Sequence, residues 1–312
     1  MSVNGGRDEA SNGVLRLHAQ PLRRRRRGKM TAVILTSSKS PRWIPNLKGH
    51  LVLAVAVSFA SFAACRSENQ TPRTVPVREV SVAAAADLKF VLDEISREFG
   101  KQNEDIRVNV SFGSSGNFYS QLQNQAPFDL FLSADMEYPR KLAQQGLSLS
   151  GKEFSYAVGR LAVWVPASSH IEVQKLEISS LKNPSVRHIS IANPQHAPYG
   201  RAAEAAMRSL GVYEAVKGKL VFGENVSQAL QFVQTGNAEI GIVALCLALS
   251  PELRDQGRYW EVPLDSYPRM EQGGVILKWA KDAEAARTFR AFLTGSAARS
   301  IFKRYGFTLP GE

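Results

Sequence analysis

The chain has 312 residues and a formal net charge of +11. Residues 1–78 hold 14 Lys and Arg residues against 3 Asp and Glu residues, whereas residues 79–312 hold 25 of each and are neutral overall. The length allows one large or two ordinary domains with hydrophobic cores, and the neutral body excludes a nucleic-acid-binding protein steered by its overall field.

Residues 1–65 are predicted to be an export signal. A basic segment that includes Arg23–Arg27 precedes the uncharged apolar stretch Leu51–Ala64, and Cys65 follows. This stretch is shorter than the about 20 residues that span a bilayer, but it suits the hydrophobic region of a signal peptide. A short membrane anchor is the alternative, and Met30 is an alternative start of the chain.

Cys65 allows two mature forms. The sequence Phe62-Ala63-Ala64-Cys65 is similar to a lipoprotein cleavage site, with Phe where Leu is usual, and then predicts a lipid anchor on Cys65. Ordinary cleavage nearby predicts a soluble protein instead. Residues 66–78 are polar and are predicted to be a flexible tether. Cys246 lies in an apolar run and is predicted to be a buried free thiol, and no CxxC motif indicates a metal or redox site.

Strand and helix patterns alternate from Glu79 onward. The predicted elements are the strand Val80–Ala84, a helix from Asp87 to Gly100, the strand Ile106–Phe112, a helix after Gly116, the strand Asp129–Ser133 and a helix from Asp135 to about Gly146. This βαβαβα order predicts a mostly parallel sheet with helices on both faces.

A second alternating set follows. Its predicted elements are the strands Leu161–Val165 and His188–Ala192, a loop over residues 193–200, the helix Arg201–Leu210, the strand Lys219–Phe222, the helix Val226–Thr235 and the strand Ile240–Leu245. Two similar α/β units predict two lobes with a cleft between them.

The most informative loop is Gly113-Ser114-Ser115-Gly116, between a predicted strand and a predicted helix. Hydroxyls and free N–H groups at the positive end of a helix suit an anion site without a cationic side chain, although an ordinary flexible turn is the alternative. Ligands of open α/β sheets bind beyond the carboxyl ends of strands. Four strand-to-helix loops qualify: Ala85–Leu88, Gly113–Gly116, Pro194–Gly200 and Gly223–Val226.

Over about residues 79–312 the chain resembles the molybdate-binding proteins of ABC importers, which have the two-lobed type II periplasmic binding-protein fold. Seven motifs occur in the family's order, which makes the resemblance specific. They are residues 82–88 (VAAAADL), 111–116 (SFGSSG), 127–135 (PFDLFLSAD), 193–200 (NPQHAPYG), 224–226 (ENV), 241–244 (GIVA) and 302–307 (FKRYGF).

The resemblance implies an extracytoplasmic protein that captures molybdate or tungstate through uncharged hydrogen-bond donors. Carried over by position, Ser115 donates its hydroxyl and N–H, and Tyr199 and Val226 donate backbone N–H groups. The remaining candidates are the amides of Ala86 and Asp87 and the neighbouring Ser114. The resemblance implies that the protein is not an enzyme and needs no cofactor. It also implies that molybdenum is bound only as its oxyanion, without side chains that ligate the metal.

Two positions depart from the family pattern. Asp87 stands where a serine is common, and Ala244 stands where a tyrosine occurs in relatives. A carboxylate at about 4 Å repels a dianion by several kcal/mol even at an effective dielectric of about 20. We expect Asp87 to cap its own helix, by accepting an N–H from two or three residues on, and to point away from the anion. Otherwise Asp87 is protonated in the loaded protein, or the ligand is not molybdate.

Three other functions are open on sequence grounds. Sulfate or another oxyanion requires the same donors, and pocket size cannot be read from the sequence. A serine hydrolase would use Ser114 or Ser115 with His196, but the loop is not a G-x-S-x-G nucleophile elbow. An effector lobe of a transcription regulator would need a DNA-binding segment, and residues 1–78 contain no helix-turn-helix pattern.

The predicted mechanism is capture by one lobe and closure by the other. Lobe 1 is predicted to comprise residues 79–160 and 268–312, and lobe 2 residues 161–267, with hinges near Gly159–Val163 and Tyr267–Val275. The expected partners are the permease and ATPase of an importer. We expect a monomer that is periplasmic or lipid-anchored through Cys65 and that binds no nucleic acid.

Overall fold

The computed structural model describes residues 77–312. The predicted signal region, residues 1–65, and residues 66–76 of the predicted tether lie outside the described residues. Within the described range, no helix combines the length and the apolar character that crossing a membrane requires.

Residues 77–312 form ten strands and ten helices. Strands β1 to β10 are Arg78–Ala85, Ile106–Gly113, Leu130–Ser133, Phe154–Gly159, Leu161–Pro166, Ile189–Ala192, Leu220–Gly223, Ile240–Ala244, Gly257–Glu261 and Met270–Ile276. Helices α1 to α10 are Lys89–Gly100, Ser115–Gln123, Glu137–Gln144, Val173–Leu176, Pro198–Ser209, Tyr213–Val216, Val226–Gln234, Leu245–Ala248, Ala283–Thr294 and Ser296–Arg304. A short 3₁₀ turn, Ala86–Leu88, joins β1 to α1.

The first sheet has the strand order β2-β1-β3-β10-β4. β1 pairs in parallel with both β2 and β3, and β10 pairs antiparallel with β3 and β4. Four of the five strands therefore run in one direction. Because β1, β2 and β3 are parallel, their carboxyl ends meet at one edge of the sheet, where ligand-binding loops of α/β proteins occur.

Helix α1 shows why the sequence folds as it does beside this sheet. Its buried residues, Val91, Leu92, Ile95 and Phe99, recur at helical spacing and form one apolar face. The ring of Phe99 packs edge-to-face against Phe289 of α9, with 5.1 Å between ring centroids. Helix α9 also contacts β1, β4 and β10, so it packs against the first sheet, and α10 packs against α1 and α9.

The second sheet repeats this arrangement with the order β7-β6-β8-β5-β9. β6 pairs in parallel with β7 and β8, and β5 pairs antiparallel with β8 and β9. The carboxyl ends of β6, β7 and β8 thus form a second ligand-binding edge. Two five-stranded sheets flanked by helices confirm the predicted two-lobed α/β fold.

The structure differs from the predicted elements in the strands that pair over long sequence distances. β4, β9 and β10 were not predicted. The chain passes from the first sheet to the second between Gly159 and Leu161, and returns between Glu261 and Met270. Most of the predicted hinge Tyr267–Val275 is therefore strand β10. Helix α5 begins at Pro198, three residues before the predicted start at Arg201, because proline suits the first position of a helix.

Candidate functional site

A small cavity lies where the two ligand-binding edges face each other. Four segments line it, namely residues 85–87, 113–115, 197–199 and 225–226, together with Ala134. The six predicted site residues are all among them: Ala86, Asp87, Ser114, Ser115, Tyr199 and Val226. None of the lining residues, all of which lie within 77–312, is a lysine, arginine or histidine.

Backbone N–H groups from helix starts surround this cavity. Ser115 is the first residue of α2, Tyr199 the second of α5 and Val226 the first of α7. The first N–H groups of a helix have no acceptor within the helix, and the helix dipole places positive charge at the same end. Helix starts from both lobes therefore offer neutral donors to a single anion.

The Ser115 hydroxyl is held in a defined orientation. The residue is fully buried, and its Oγ accepts a hydrogen bond from the Ala134 N–H at 3.0 Å. Because that bond uses a lone pair of the oxygen, the hydroxyl hydrogen points elsewhere and is available to an acceptor. Ser115 thus supplies two donors, its N–H and its hydroxyl, at the start of α2.

Ser114 has different partners. Its hydroxyl and its N–H both donate to Glu224 Oε1, at 2.9 and 3.3 Å, and Asn117 Nδ2 donates to the same oxygen at 2.7 Å. Burial raises the pKa of Glu224, but the hydrogen bonds from Ser114, Asn225 and Asn117 outweigh burial and hold the pKa below its usual value. In this structure the donors of Ser114 are therefore engaged by a carboxylate of the opposite lobe.

Asp87 does not cap its helix, so that expectation is wrong. Its Oδ2 accepts hydrogen bonds from Tyr199 Oη at 3.0 Å and from Gln272 Nε2 at 2.7 Å, and no N–H two or three residues on donates to it. The side chain is 1% exposed, and its Oδ1 has no hydrogen-bond partner. Burial raises the pKa of Asp87 to about 6, although the hydrogen bonds from Gln272 and Tyr199 oppose this shift.

The Tyr199 phenol belongs to the same cluster. Burial, and then the nearby Asp87 carboxyl, raise the pKa of Tyr199 well above its usual range, so the phenol stays a donor. A Cβ atom on Gly159 would lie 2.5 Å from Tyr199 Oη and 2.8 Å from Gln272 Nε2. The glycine at the end of β4 is what leaves room for this hydrogen-bonded group.

Several polar contacts join the two lobes around the cavity. The Gly116 N–H donates to His196 O, and the Ser227 hydroxyl donates to Ala86 O, both at 2.8 Å. On another side, Arg201 Nη2 lies 2.5 Å from Asp135 Oδ2. The lobes are therefore in direct contact around the site.

The residues of a hydrolase are present but not assembled. His196 lies beside the serine loop, since its carbonyl accepts from Gly116, but its Nε2 has no hydrogen-bond partner. Neither serine hydroxyl has a hydrogen bond to the His196 ring. The described residues also contain no cluster of His, Cys, Asp or Glu side chains that could hold a metal ion.

Sequence reasoning missed two residues of the site, Glu224 and Gln272. Glu224 lies in a motif that carried the family resemblance, but its contact with Ser114 forms between lobes, 110 positions apart. Gln272 lies 185 positions from Asp87, in a segment that was interpreted as a hinge. The only signal was a polar residue, Gln272, directly before Gly273-Gly274 and an apolar run. Cys246 is a buried free thiol, as predicted.

The fold and the site define a two-lobed α/β binding protein. The chain matches the family described as bacterial extracellular solute-binding protein over residues 80–308, and it belongs to that family.

The relatives confirm the resemblance on which the sequence analysis depended. The molybdate-binding protein ModA of Azotobacter vinelandii is 42% identical over 231 residues, which cover 74% of this chain and 90% of that protein. ModA of Rhodobacter capsulatus is 37% identical over 229 residues, 73% of this chain and 88% of that protein. The solved periplasmic molybdate-binding protein of Azotobacter vinelandii matches with a TM-score of 0.69 at 33% identity, and covers 74% of this chain and 99% of its own.

Proposed function

We propose that this protein binds molybdate or tungstate in the cavity between its lobes and delivers the anion to the permease and ATPase of an ABC importer. The first lobe binds the anion through Ser115 and the amides of Ala86 and Asp87. The second lobe then closes and adds the N–H groups of Tyr199 and Val226. Ser114 lies at the edge of this shell, where it bonds to Glu224.

One observation carries the proposal: uncharged donors from both lobes face one small cavity whose lining includes no cationic side chain. Hydrogen bonds between neutral donors and an ion are stronger where water is excluded, and each contributes about 1.5–3 kcal/mol to binding. Such a site favours an anion that needs only donors. The relatives named as molybdate-binding proteins support the choice of ligand.

Calorimetric titration of the purified protein with molybdate, tungstate, sulfate and phosphate tests this proposal. We expect tight one-to-one binding of molybdate and tungstate, and binding of sulfate at least about a hundredfold weaker, since pocket size alone must separate them. Tighter binding of sulfate would establish the alternative ligand. Absence of binding by all four anions would exclude an oxyanion site.

Ser115→Ala tests the donor assignment. The substitution removes a charge-assisted donor, and a loss of about 1.5–3 kcal/mol is about ten- to hundredfold in affinity for molybdate. The matched control is Ser120→Ala in the same helix, because the Ser120 hydroxyl donates to Gly116 O and does not line the cavity. Equal affinities of the two variants would contradict the role of Ser115.

The proposed cellular form is a monomer held on the extracytoplasmic side, either soluble or anchored by a lipid on Cys65, and without enzymatic activity. Labelling of cells with a radioactive fatty acid distinguishes the two forms. A lipid anchor predicts label on the wild type and on Cys246→Ser but none on Cys65→Ser. Equal labelling of both variants, or no labelling of the wild type, would contradict the anchor.

The proposal also includes the lobe boundaries. Lobe 1 comprises residues 79–160 and 268–312, and lobe 2 comprises residues 161–267.

A further inference from the structure

The Asp87 carboxyl is an unexpected group in a cavity that binds a dianion. Asp87 is one of the residues that line the cavity, it is 1% exposed, and its oxygen Oδ1 has no hydrogen-bond partner. A carboxylate in this place would repel the ligand, and the helix-capping contact that would turn it away is not made. The group therefore needs another account, which rests on the function proposed above.

No cation neutralises Asp87 from the elements packed against it. Its neighbours are Tyr199 of α5, Gln272 of β10, Cys246 of α8, whose thiol donates to Asp87 O at 3.3 Å, and the buried Tyr156 of β4. Two other carboxyl groups near the cavity already have partners. Glu224 accepts from Ser114 and Asn117, and Asp135 is paired with Arg201.

The hydrogen-bond pattern around Asp87 lacks one donor. Gln272 Nε2 donates to Asp87 Oδ2, but Gln272 Oε1 and Asp87 Oδ1 are both buried acceptors without a donor. Buried polar atoms are nearly always hydrogen-bonded, so the unpaired Oδ1 of Asp87 favours an added hydrogen on that oxygen. A proton on Oδ1 turns that oxygen from an acceptor into a donor.

We propose that Asp87 is a carboxylic acid in the loaded protein, and that its proton on Oδ1 is donated to an oxygen of the bound dianion. The proton is taken from solvent, so each dianion enters with one proton, and no other bond forms or breaks. Asp87 then acts like the neutral donors around it. Burial brings its pKa to about 6, and a dianion beside it raises the pKa further, so neutral solution is the range in which uptake occurs.

Two consequences separate this proposal from an ordinary binding site. Proton uptake on binding rises from near zero at about pH 5, where Asp87 is already protonated, to about one near pH 8. Affinity for molybdate falls with rising pH, by up to about tenfold per pH unit above the titration of the free protein. The direction follows because the loaded state binds the proton more tightly than the free state.

The experiment is calorimetric titration of the wild type with molybdate from about pH 6 to about pH 8, in two buffers of different ionisation enthalpy at each pH. The difference between buffers counts the protons taken up. Asp87→Asn is the matched variant, because an amide keeps the shape but does not titrate. We expect it to bind molybdate with no proton uptake and an affinity that does not change with pH.

Each outcome decides one claim. A wild type that binds molybdate with no proton uptake and constant affinity overturns the inference and leaves the proposed function standing. If no oxyanion binds the wild type at any pH, the proposed function fails. Tighter binding of phosphate than molybdate, with loss of phosphate binding in Asp87→Asn, overturns both the inference and the proposed ligand, because Asp87 would then accept a hydrogen bond from a protonated ligand. Should Asp87→Asn fail to fold, the wild-type proton count alone decides.

Discussion

Helices α2 and α7 begin at equivalent places in the two lobes, directly after the edge strands β2 and β7, but their first turns are capped differently. Asn225 precedes α7, and its Oδ1 accepts from the Gln228 N–H at 3.0 Å. Ser114 precedes α2 and its side chain caps no N–H of that helix. Instead its hydroxyl and N–H donate to Glu224 of the opposite lobe.

The cap of α7 therefore comes from its own lobe, whereas the residue before α2 bonds through its side chain to the opposite lobe. The carboxylate of Glu224 lies beside the positive end of α2, where a negative charge is favourable. The Ser115 N–H and hydroxyl stay available at the same end. Both helix starts keep N–H groups for the anion, at Ser115 and Val226, but only α7 is capped by the residue before it. The second lobe also supplies Glu224, the acceptor for Ser114.

The segments after β1 and β6, the strands next to the edge strands β2 and β7, differ in the same sense. The turn after β1 carries Asp87, and the helix after β6 carries Tyr199, whose phenol donates to Asp87 Oδ2 at 3.0 Å. The first lobe thus contains a buried acid that costs stability when ionised, and the second lobe contributes a neutral donor to it.

Asp87→Asn should raise the stability of the protein without anion at neutral pH. Between about pH 4 and about pH 6 the folded protein retains an Asp87 proton that the unfolded chain has released, so this group destabilises the fold progressively as pH rises. Above that range the full cost, about 3 kcal/mol for about two pKa units, is present. We expect urea unfolding to show the variant more stable by up to that amount near pH 8 and equal to wild type near pH 4.

Asp282 is a control for Asp87, because its pKa is shifted in the opposite direction. A hydrogen bond from Arg78, and then one from the Ala285 N–H, lower the pKa of Asp282 to about 2. Its stabilisation is present above the pKa of the unfolded chain and is lost as pH falls toward about 2. Asp282→Asn should therefore be less stable than wild type at neutral pH, with a difference that narrows in acid. An Asp87→Asn variant that behaved like Asp282→Asn would contradict the raised pKa of Asp87.

Gly116→Ala should make closure of the lobes less favourable. A Cβ atom on Gly116 would lie 2.6 Å from His196 O and 2.8 Å from Tyr138 Oη, and the first of these atoms belongs to the other lobe. Overpacking of this kind costs about 1–3 kcal/mol, which predicts about a ten- to hundredfold loss of affinity for molybdate. The cost falls on closure, so the stability of the protein without anion should change less than its affinity.

Gly100→Ala is the matched control for that substitution. It lies at the end of α1, and an added Cβ would contact nothing within 4 Å. Calorimetry should give wild-type affinity for Gly100→Ala, and small-angle scattering with molybdate should show a more extended Gly116→Ala protein. Equal compaction of both variants by molybdate would show that Gly116 does not limit closure.

The parts of this molecule that were predictable from sequence are those set by neighbouring residues. The apolar spacing of α1 and the strand-to-helix loops around Asp87, Ser115 and Val226 follow from local periodicity, which fixes where donors at helix starts occur. The start of α5 was predicted three residues late, at Arg201, although Pro198 is a local signal for the first helical position.

The contacts that were not predictable join distant parts of the chain. Local preference makes an acid at the start of a helix a cap, but the buried partners of Asp87 are 112 and 185 positions away. Strands β4, β9 and β10 likewise form by long-range antiparallel pairing, with only weak local signals. The role of Glu224 depends on lobe contact, which no periodicity of the sequence encodes.

The smallest expected effect separates the two helix starts directly. Asn225→Ala removes the cap of α7 and should lower the free energy of unfolding by about 1 kcal/mol. Ser114→Ala removes no cap of its own helix, and its bond to the partly exposed Glu224 should contribute about 0.5 kcal/mol or less. Urea unfolding of both variants without anion, beside Ser120→Ala, measures the difference. A loss in Ser114→Ala as large as that in Asn225→Ala would mean that α2, like α7, depends on its own preceding residue, and the contrast between the lobes would then fail.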